Sequence, residues 1–355
     1  MAVRSRRQRS SRRSKPVRRE PAWARLSDEE LLKLRFCDLK LSLRNPTVER
    51  ALRSLYGELR RRGIRLRPHV WLSVEWFSPD GVPGIAIPFY MAHPRLMRLE
   101  RQIMGEVEGG NANWLMRILR HEVGHALDNA YRLRRRKGWR KTFGKASQPY
   151  PNVYRVRPAS RNYVLHLGHW YAQSHPTEDF AETFAVWMQP KARWRREYQG
   201  WPALKKLEYV DWLMGQIRGE RPRVANREFV EPISENTRTL GEHYRRKSRR
   251  YAMDRPGAYD LRLKRVFGKR RGGRRHLRAS TFVRECRPQL ERLLLRRSRL
   301  YPYLVHHVLR TVIRRCRDLD LVVDTSRREA KRAVLGVLER IMIDILRRDR
   351  ERYTL

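Results

Sequence analysis

Apolar positions recur along this chain with two different periods, and the change of period outlines its elements. Over residues 47–62, Val48, Leu52, Leu55, Tyr56 and Leu59 fall on one helical stripe, and Gly63 stops the helix. Upstream, Ser27-Asp-Glu-Glu30 has the spacing of a capping box and opens a short helix through Leu31, Leu32 and Leu34. Residues 64–77 read as extended, and Ser78-Pro-Asp-Gly81 is turn chemistry. Gly84-Ile-Ala-Ile-Pro-Phe-Tyr90 is a second extended run, which Pro88 marks as an edge strand. The strongest helix spans about residues 111–136. Residues 137–170, rich in Gly, Pro, Tyr and Arg, read as a long, partly irregular connection. Helices follow at about 176–188 and 202–217, each opening on a proline.

Past residue 221 the composition changes. Prolines and basic residues dominate up to about residue 280, and from residue 281 the pattern is helical. Ser326-x-x-Glu329 caps a last helix with the stripe Val334, Leu338, Ile341 and Ile345. The fold class expected is α+β. The expected division is a disordered basic arm at 1–20, a catalytic domain at 21–220, a basic linker region at 221–280 and a helical C-terminal region at 281–355.

Charge alters this picture in one respect. With 82 Lys+Arg against 37 Asp+Glu the formal net charge is +45. Such a surface attracts anions, whether nucleic acid, phospholipid headgroups or acidic polypeptides. The arm, which has no acidic residue through Arg19, and the cluster at 264–278 are the candidate sites for an acidic partner or nucleic acid. Neither carries interleaved aromatics or a recognisable nucleic-acid module, so solvated basic faces are the simpler reading. Cys37, Cys286 and Cys316 are far apart and form neither a disulfide framework nor a cysteine metal site. With no apolar run long enough to span a membrane and no secretory leader, a cytoplasmic protein is expected.

The chemistry lies in the strongest helix. His121-Glu-Val-Gly-His125 places two imidazoles four residues apart, on one face, where they can grip one ion. Glu122 is rotated toward the side where a water on that ion would sit, as a general base requires. A catalytic zinc needs a third protein ligand. Between Asn129 and Thr177 there is no Asp or Glu, and Asp128 is too local to close a tetrahedron. The third ligand is therefore Glu178, or a histidine among His166, His169 and His175. Glu182, one turn beyond Glu178, can accept a hydrogen bond from a ligand imidazole, or is a plain helix carboxylate. Trp170, Trp187 and Trp194 either narrow the cleft or belong to the core.

His121-Glu-Val-Gly-His-Ala-Leu-Asp128, followed by Tyr171 and Glu178-Asp-Phe-Ala-Glu182, resembles the gluzincin site of anthrax lethal factor. More broadly, residues 27–247 are similar to a bacterial family of zinc-binding metallopeptidases. The shared residues are Glu75-Trp-Phe, Gly84-Ile-Ala-Ile-Pro-Phe-Tyr90, Ile118-Leu-Arg-His121 and His175-Pro-Thr-Glu-Asp-Phe-Ala-Glu182. These resemblances imply a zincin-like domain, with a small sheet over the metal helix and a peptide or protein substrate. They imply one Zn2+ held by His121, His125 and Glu178, with Glu122 as base. They also imply that Tyr171 is the phenol that steadies the oxyanion or the leaving group; otherwise it is a packed aromatic beside Trp170. An edge strand at 84–89 is expected to pair with the substrate backbone. Two other readings stay open: a basic nucleic-acid-associated protein whose zinc is structural or acts on bound proteins, and a hydrolase of a small non-protein amide.

Overall fold

In a computed structural model, residues 20–348 and 353–354 are described, apart from 105, 152, 155–156, 158–159, 168–169, 252–258, 270–275 and 298–301. The expected arm and part of the 264–278 cluster lie outside these residues. The principal elements are α1 (Pro46–Arg61), β1 (His69–Ser73), β2 (Gly84–Pro88), α2 (Pro94–Met104), α3 (Ala112–Tyr131), α4 (Lys137–Phe143) and α5 (Pro176–Met188). They continue with α6 (Ala203–Gln216), α7 (Leu240–Tyr251), α8 (Ala279–Arg297), α9 (Pro302–Asp318) and α10 (Arg327–Arg348). The molecule is helix-rich with little sheet, consistent with α+β.

Local chemistry explains most boundaries. The capping box at Ser27 forms with both reciprocal bonds, and the one at Ser326 forms likewise. Asn45 caps α1, and Gly63, at φ +72°, takes the left-handed turn beyond its end. α3 ends at Tyr131, five residues short of the expected 136. Arg132 turns left-handed, and the buried Asp128 carboxylate takes the Arg134 backbone N–H at 2.7 Å and its Nε at 2.6 Å. The connection at 137–170 contains α4, whose Trp139 and Phe143 are buried. α2 has no counterpart among the expected elements.

Hydrophobic burial, the main favourable term, is concentrated in two cores, with a small third cluster of Trp71, Val82 and Ala86. The larger includes side chains from Leu31 to Tyr244, and the second runs from Leu263 to Met342. Residues of the 221–280 segment enter both: Ile233, Leu240 and Tyr244 the first, Leu263, Phe267 and Ala279 the second. Trp187 and Trp194 are core residues. Cys37, Cys286 and Cys316 are unpaired. Among the described residues no helix is long and apolar enough to cross a membrane.

β1 and β2 pair in parallel, with His69 opposite Gly84 and Ser73 opposite Pro88. In a sheet of two strands β2 is an edge strand, as expected at 84–89, but it is buried throughout and so not free to pair with a substrate. Its outward side is already used. Ala86 N–H donates to Phe77 O at 2.8 Å, and Ser78 Oγ lies 2.8 Å from Gly84 O and 3.0 Å from Glu122 O. Alternation puts Pro88 on that outward side too, so its missing N–H costs no pairing with β1. The Trp76–Phe77–Ser78 stretch therefore lies between β2 and the metal-motif helix.

Candidate metal centre

α3 is fixed from several sides. Asn111 caps its first turn by accepting from Trp114 N–H at 2.9 Å. The two-pronged Arg120–Glu58 pair, with both bonds at 2.8 Å, ties it to α1. Gly124 faces α5, where an added Cβ would stand 3.0 Å from Ala181 Cα and 3.2 Å from Phe184 Cδ1. That close approach brings the carboxylates of α5 up to the histidines of α3. α5 starts on His175 and Pro176, and at its far end Arg62 donates to the Trp187 and Met188 carbonyls while stacking on the Trp187 ring.

Three ligand-type atoms converge. Glu178 Oε2 lies 3.0 Å from His121 Nε2 and 3.1 Å from His125 Nε2, and the two imidazole nitrogens are 3.1 Å apart. The group could hold a metal ion. A tetrahedral ion with bonds of about 2.0–2.1 Å wants donor atoms about 3.3 Å apart, close to this triangle. Among the described residues the third ligand-type atom at this point belongs to a carboxylate, Glu178. His166 Nε2 is taken by Arg117 O at 2.9 Å. His175 uses both nitrogens, Nε2–H donating to Gln148 O and Nδ1 accepting from Thr177 N–H. His169 lies outside the described residues.

Beneath the triangle, His121 Nδ1–H donates to Glu182 Oε1 at 2.9 Å, and the other oxygen accepts from Leu167 N–H at 2.8 Å. A carboxylate only accepts, so the bond places a proton on Nδ1 and turns Nε2 toward Glu178. The electrostatics favour a cation at this point. Burial alone would lower the His121 pKa, yet its bonds to Glu178 and Glu182 hold it well above the ordinary value. Burial would likewise raise Glu178, and the facing His125 and His121 bring it well below the usual carboxylate range.

Glu122 borders the same cavity. It is buried, its Oε2 has no hydrogen-bond partner among the described residues, and desolvation raises its pKa against the opposing pull of His121 and His125. Tyr171 sits across from it, with its ring centroid 5.5 Å from that of His121. Burial, then Glu178 and Glu122, push its pKa well above the ordinary phenol value, so its hydroxyl keeps its proton as a donor.

The cavity has a volume of about 210 Å³; Trp76 and Phe77 of the shared Glu75-Trp-Phe and Ser78 and Asp80 of the turn line it, together with Arg134 and Tyr150, which the sequence did not single out. Tyr150 donates to Glu178 Oε1 at 2.8 Å and stacks on His175 at 3.9 Å between centroids. Its one sequence signal is its place between Pro149 and Pro151, which hold the chain extended. Arg134 is held by Asp128 and by Asp80, at 2.7 Å from the latter.

Residues 100–193, which contain both α3 and α5, match a family model described as "Putative zinc-binding metallo-peptidase". The match supports that family over this stretch. No curated protein and no solved structure matches the chain, and the likeness to lethal factor rests on the motif residues alone.

Proposed function

We propose that residues 21–220 form a zincin-like unit that hydrolyses peptide bonds with one zinc ion, held by His121, His125 and Glu178. The observation that carries this reading is the triangle of Nε2, Nε2 and Oε2 atoms at 3.0–3.1 Å, bordered by a buried carboxylate with a free oxygen. The family match over residues 100–193 supports it. A zinc ion there supplies Lewis acidity and lowers the pKa of water to about 7.

The chain's own groups do the rest. Glu122, its pKa raised by burial, takes a proton from the attacking water and hands it to the leaving amine. Tyr171, kept protonated, donates to the oxygen on which charge develops. Glu182 orients His121 through Nδ1. The Trp76–Ser78 stretch, which lines the cavity, takes the place of the 84–89 strand as the backbone a substrate meets. The 210 Å³ volume favours a short peptide segment or a small amide at the metal, since drug-sized ligands occupy about 300–1,000 Å³. Hydrolysis of a small non-protein amide is accordingly the second reading.

The test is zinc content and hydrolysis of a mixed peptide library by wild type, His125→Ala, Glu178→Ala and Glu122→Gln. About one zinc per chain is expected in wild type and Glu122→Gln, with hydrolysis in wild type only. No zinc in folded wild type would overturn the reading. Zinc retained by Glu178→Ala would remove that carboxylate from the ligand set.

A further inference from the structure

A second cavity, of about 410 Å³, shares no residue with the metal pocket. Its wall carries four arginines, Arg65, Arg67, Arg221 and Arg227, beside His69 and Asn226, and no carboxylate. Its construction follows from the chain. Residues 64–69 are extended, so side chains alternate: Ile64 and Leu66 are buried in the core, while Arg65, Arg67 and His69 face outward. The opposite wall comes from residues 221–227, which lack regular structure but are held in place. Arg223 N–H and Val224 N–H both donate to Ala130 O, near the end of α3.

The stretch that follows is fastened along β1. His69, Trp71 and Ser73 point to one face of that strand. His69 Nε2–H donates to Glu228 O at 3.0 Å, Trp71 Nε1–H to Val230 O at 2.9 Å, and Ser73 Oγ to Glu231 O at 2.8 Å. This fastening builds an aromatic platform at the edge of the arginine pocket. His69 stacks on Trp71 at 5.2 Å and 21°, and Trp71 stacks on Phe229 at 5.7 Å and 24°. Phe229 also meets His69 directly, at 5.7 Å and 36°, so the three rings form a triangle in which Phe229 stays 55% exposed. The exposed part of the Phe229 ring is open to a partner from solvent.

None of the four arginines pairs with a carboxylate among the described residues. Glu220, Glu228 and Glu231 lie on the same segment, yet none lines the cavity. Four unneutralised guanidinium groups around one hollow repel each other. Arg67 lies over the Tyr56 ring at 5.0 Å, and a guanidinium offers paired N–H donors suited to phosphate oxygens. A stacking platform beside a cationic pocket is the combination that binds a base together with its phosphate.

We infer that the Arg65, Arg67, Arg221 and Arg227 pocket, with Phe229 as its stacking face, binds a nucleotide unit, phosphate in the cavity and base on the ring. The unit belongs either to a free nucleotide or to a single strand of nucleic acid, and the same experiment separates the two sources.

The test uses the full chain. Fluorescence anisotropy of a dye-labelled deoxythymidine dodecamer is measured at graded salt, with AMP and poly-glutamate as competitors. Wild type is compared with Phe229→Ala, with a variant carrying alanine at the four arginines, and with a control carrying alanine at Arg292, Arg296, Arg328 and Lys331. All the positions chosen are exposed except Lys331, which is half-buried, and thermal unfolding verifies that each variant keeps its fold. The four-arginine variant is expected to lose at least tenfold in affinity and to show a smaller salt slope, by about 0.7 per phosphate released. Phe229→Ala is expected to lose about fivefold or more, and the control to change less than twofold. Displacement by millimolar AMP assigns the site to a free nucleotide, and failure of AMP to displace the dodecamer assigns it to a strand. Equal losses in the control variant, or a Phe229→Ala variant with wild-type affinity and full displacement by poly-glutamate, would overturn the inference.

Discussion

Replacing Glu182 by Gln tests how the ligand set is organised. Glu182 is 1% exposed and accepts two N–H bonds, from His121 Nδ1 at 2.9 Å and from Leu167 N at 2.8 Å. Glutamine has the same shape but only one oxygen, so it can satisfy only one of these donors. If the oxygen stays with Leu167, the amide NH2 faces His121, whose Nδ1 must then accept. The imidazole proton moves to Nε2 and points into the donor triangle. If the oxygen stays with His121, two N–H groups oppose each other at Leu167, at a cost of about 1–3 kcal/mol. Either way zinc binding weakens. Loss of such a supporting partner costs about 10–100-fold in affinity, or about 1.4–2.7 kcal/mol. Competition with a chromogenic chelator at pH 7.5 measures this directly, and thermal unfolding of metal-free protein reports the change in stability. A Glu182→Gln variant with wild-type zinc affinity would refute the tautomer argument.

Three further outcomes follow from the packing and the buried charges. Arg134→Ala leaves Asp128, whose side chain is fully buried, with only the backbone N–H of residue 134, and is expected to cost about 3 kcal/mol by urea unfolding; a loss under about 1 kcal/mol would contradict it. Gly124→Ala gains about 1 kcal/mol in helix propensity but presses on Ala181 Cα, at about 1–3 kcal/mol. Zinc affinity is expected to fall as α5 shifts, and unchanged affinity would show that the two helices can separate without moving Glu178. Burial, reinforced by Glu108 and Glu100 and opposed by Lys247, raises the Glu106 pKa to about 7. Folded protein therefore holds a proton that the unfolded chain releases near pH 4.3. This contribution to stability is present at low pH and is lost as pH rises from about 4 to about 7. Glu106→Gln should flatten that slope and be relatively more stable at pH 8 than at pH 5; equal slopes in the two proteins would remove Glu106 as the cause.

Elements whose signals are local were legible in the amino-acid order. The α1 stripe and its Gly63 stop, the capping boxes at Ser27 and Ser326, and the start and end of α5 depend on neighbours within a few residues. The pairing of His121 with His125 is local in the same sense, because a helix puts residues four apart on one face. An acid-free stretch of chain pointed to Glu178 by exclusion but left three histidines as rivals. For two of them the answer lies in the packing: the carbonyls of Arg117 and Gln148 occupy nitrogens of His166 and His175.

Contacts distant in sequence were illegible for the same reason. Tyr150 meets Glu178 across an irregular connection, and Asp80 meets Arg134 across a turn and a helix. Nothing in periodicity records either contact. β2 reads as an edge strand because Pro88 lacks an N–H. It is an edge strand, but the fold covers that edge, with Pro88 on the side where no β1 bond is needed and Phe77 already paired to Ala86. The arginine pocket shows the limit most clearly. Arg65 and Arg67 are more than 150 positions from Arg221 and Arg227 in a chain with 82 basic residues, so their number carried no information. Their meaning comes from the bonds of His69, Trp71 and Ser73 that fasten the distant segment onto β1. Spacing fixes what a helix presents on one face, but which faces meet is settled by the packing of the whole chain.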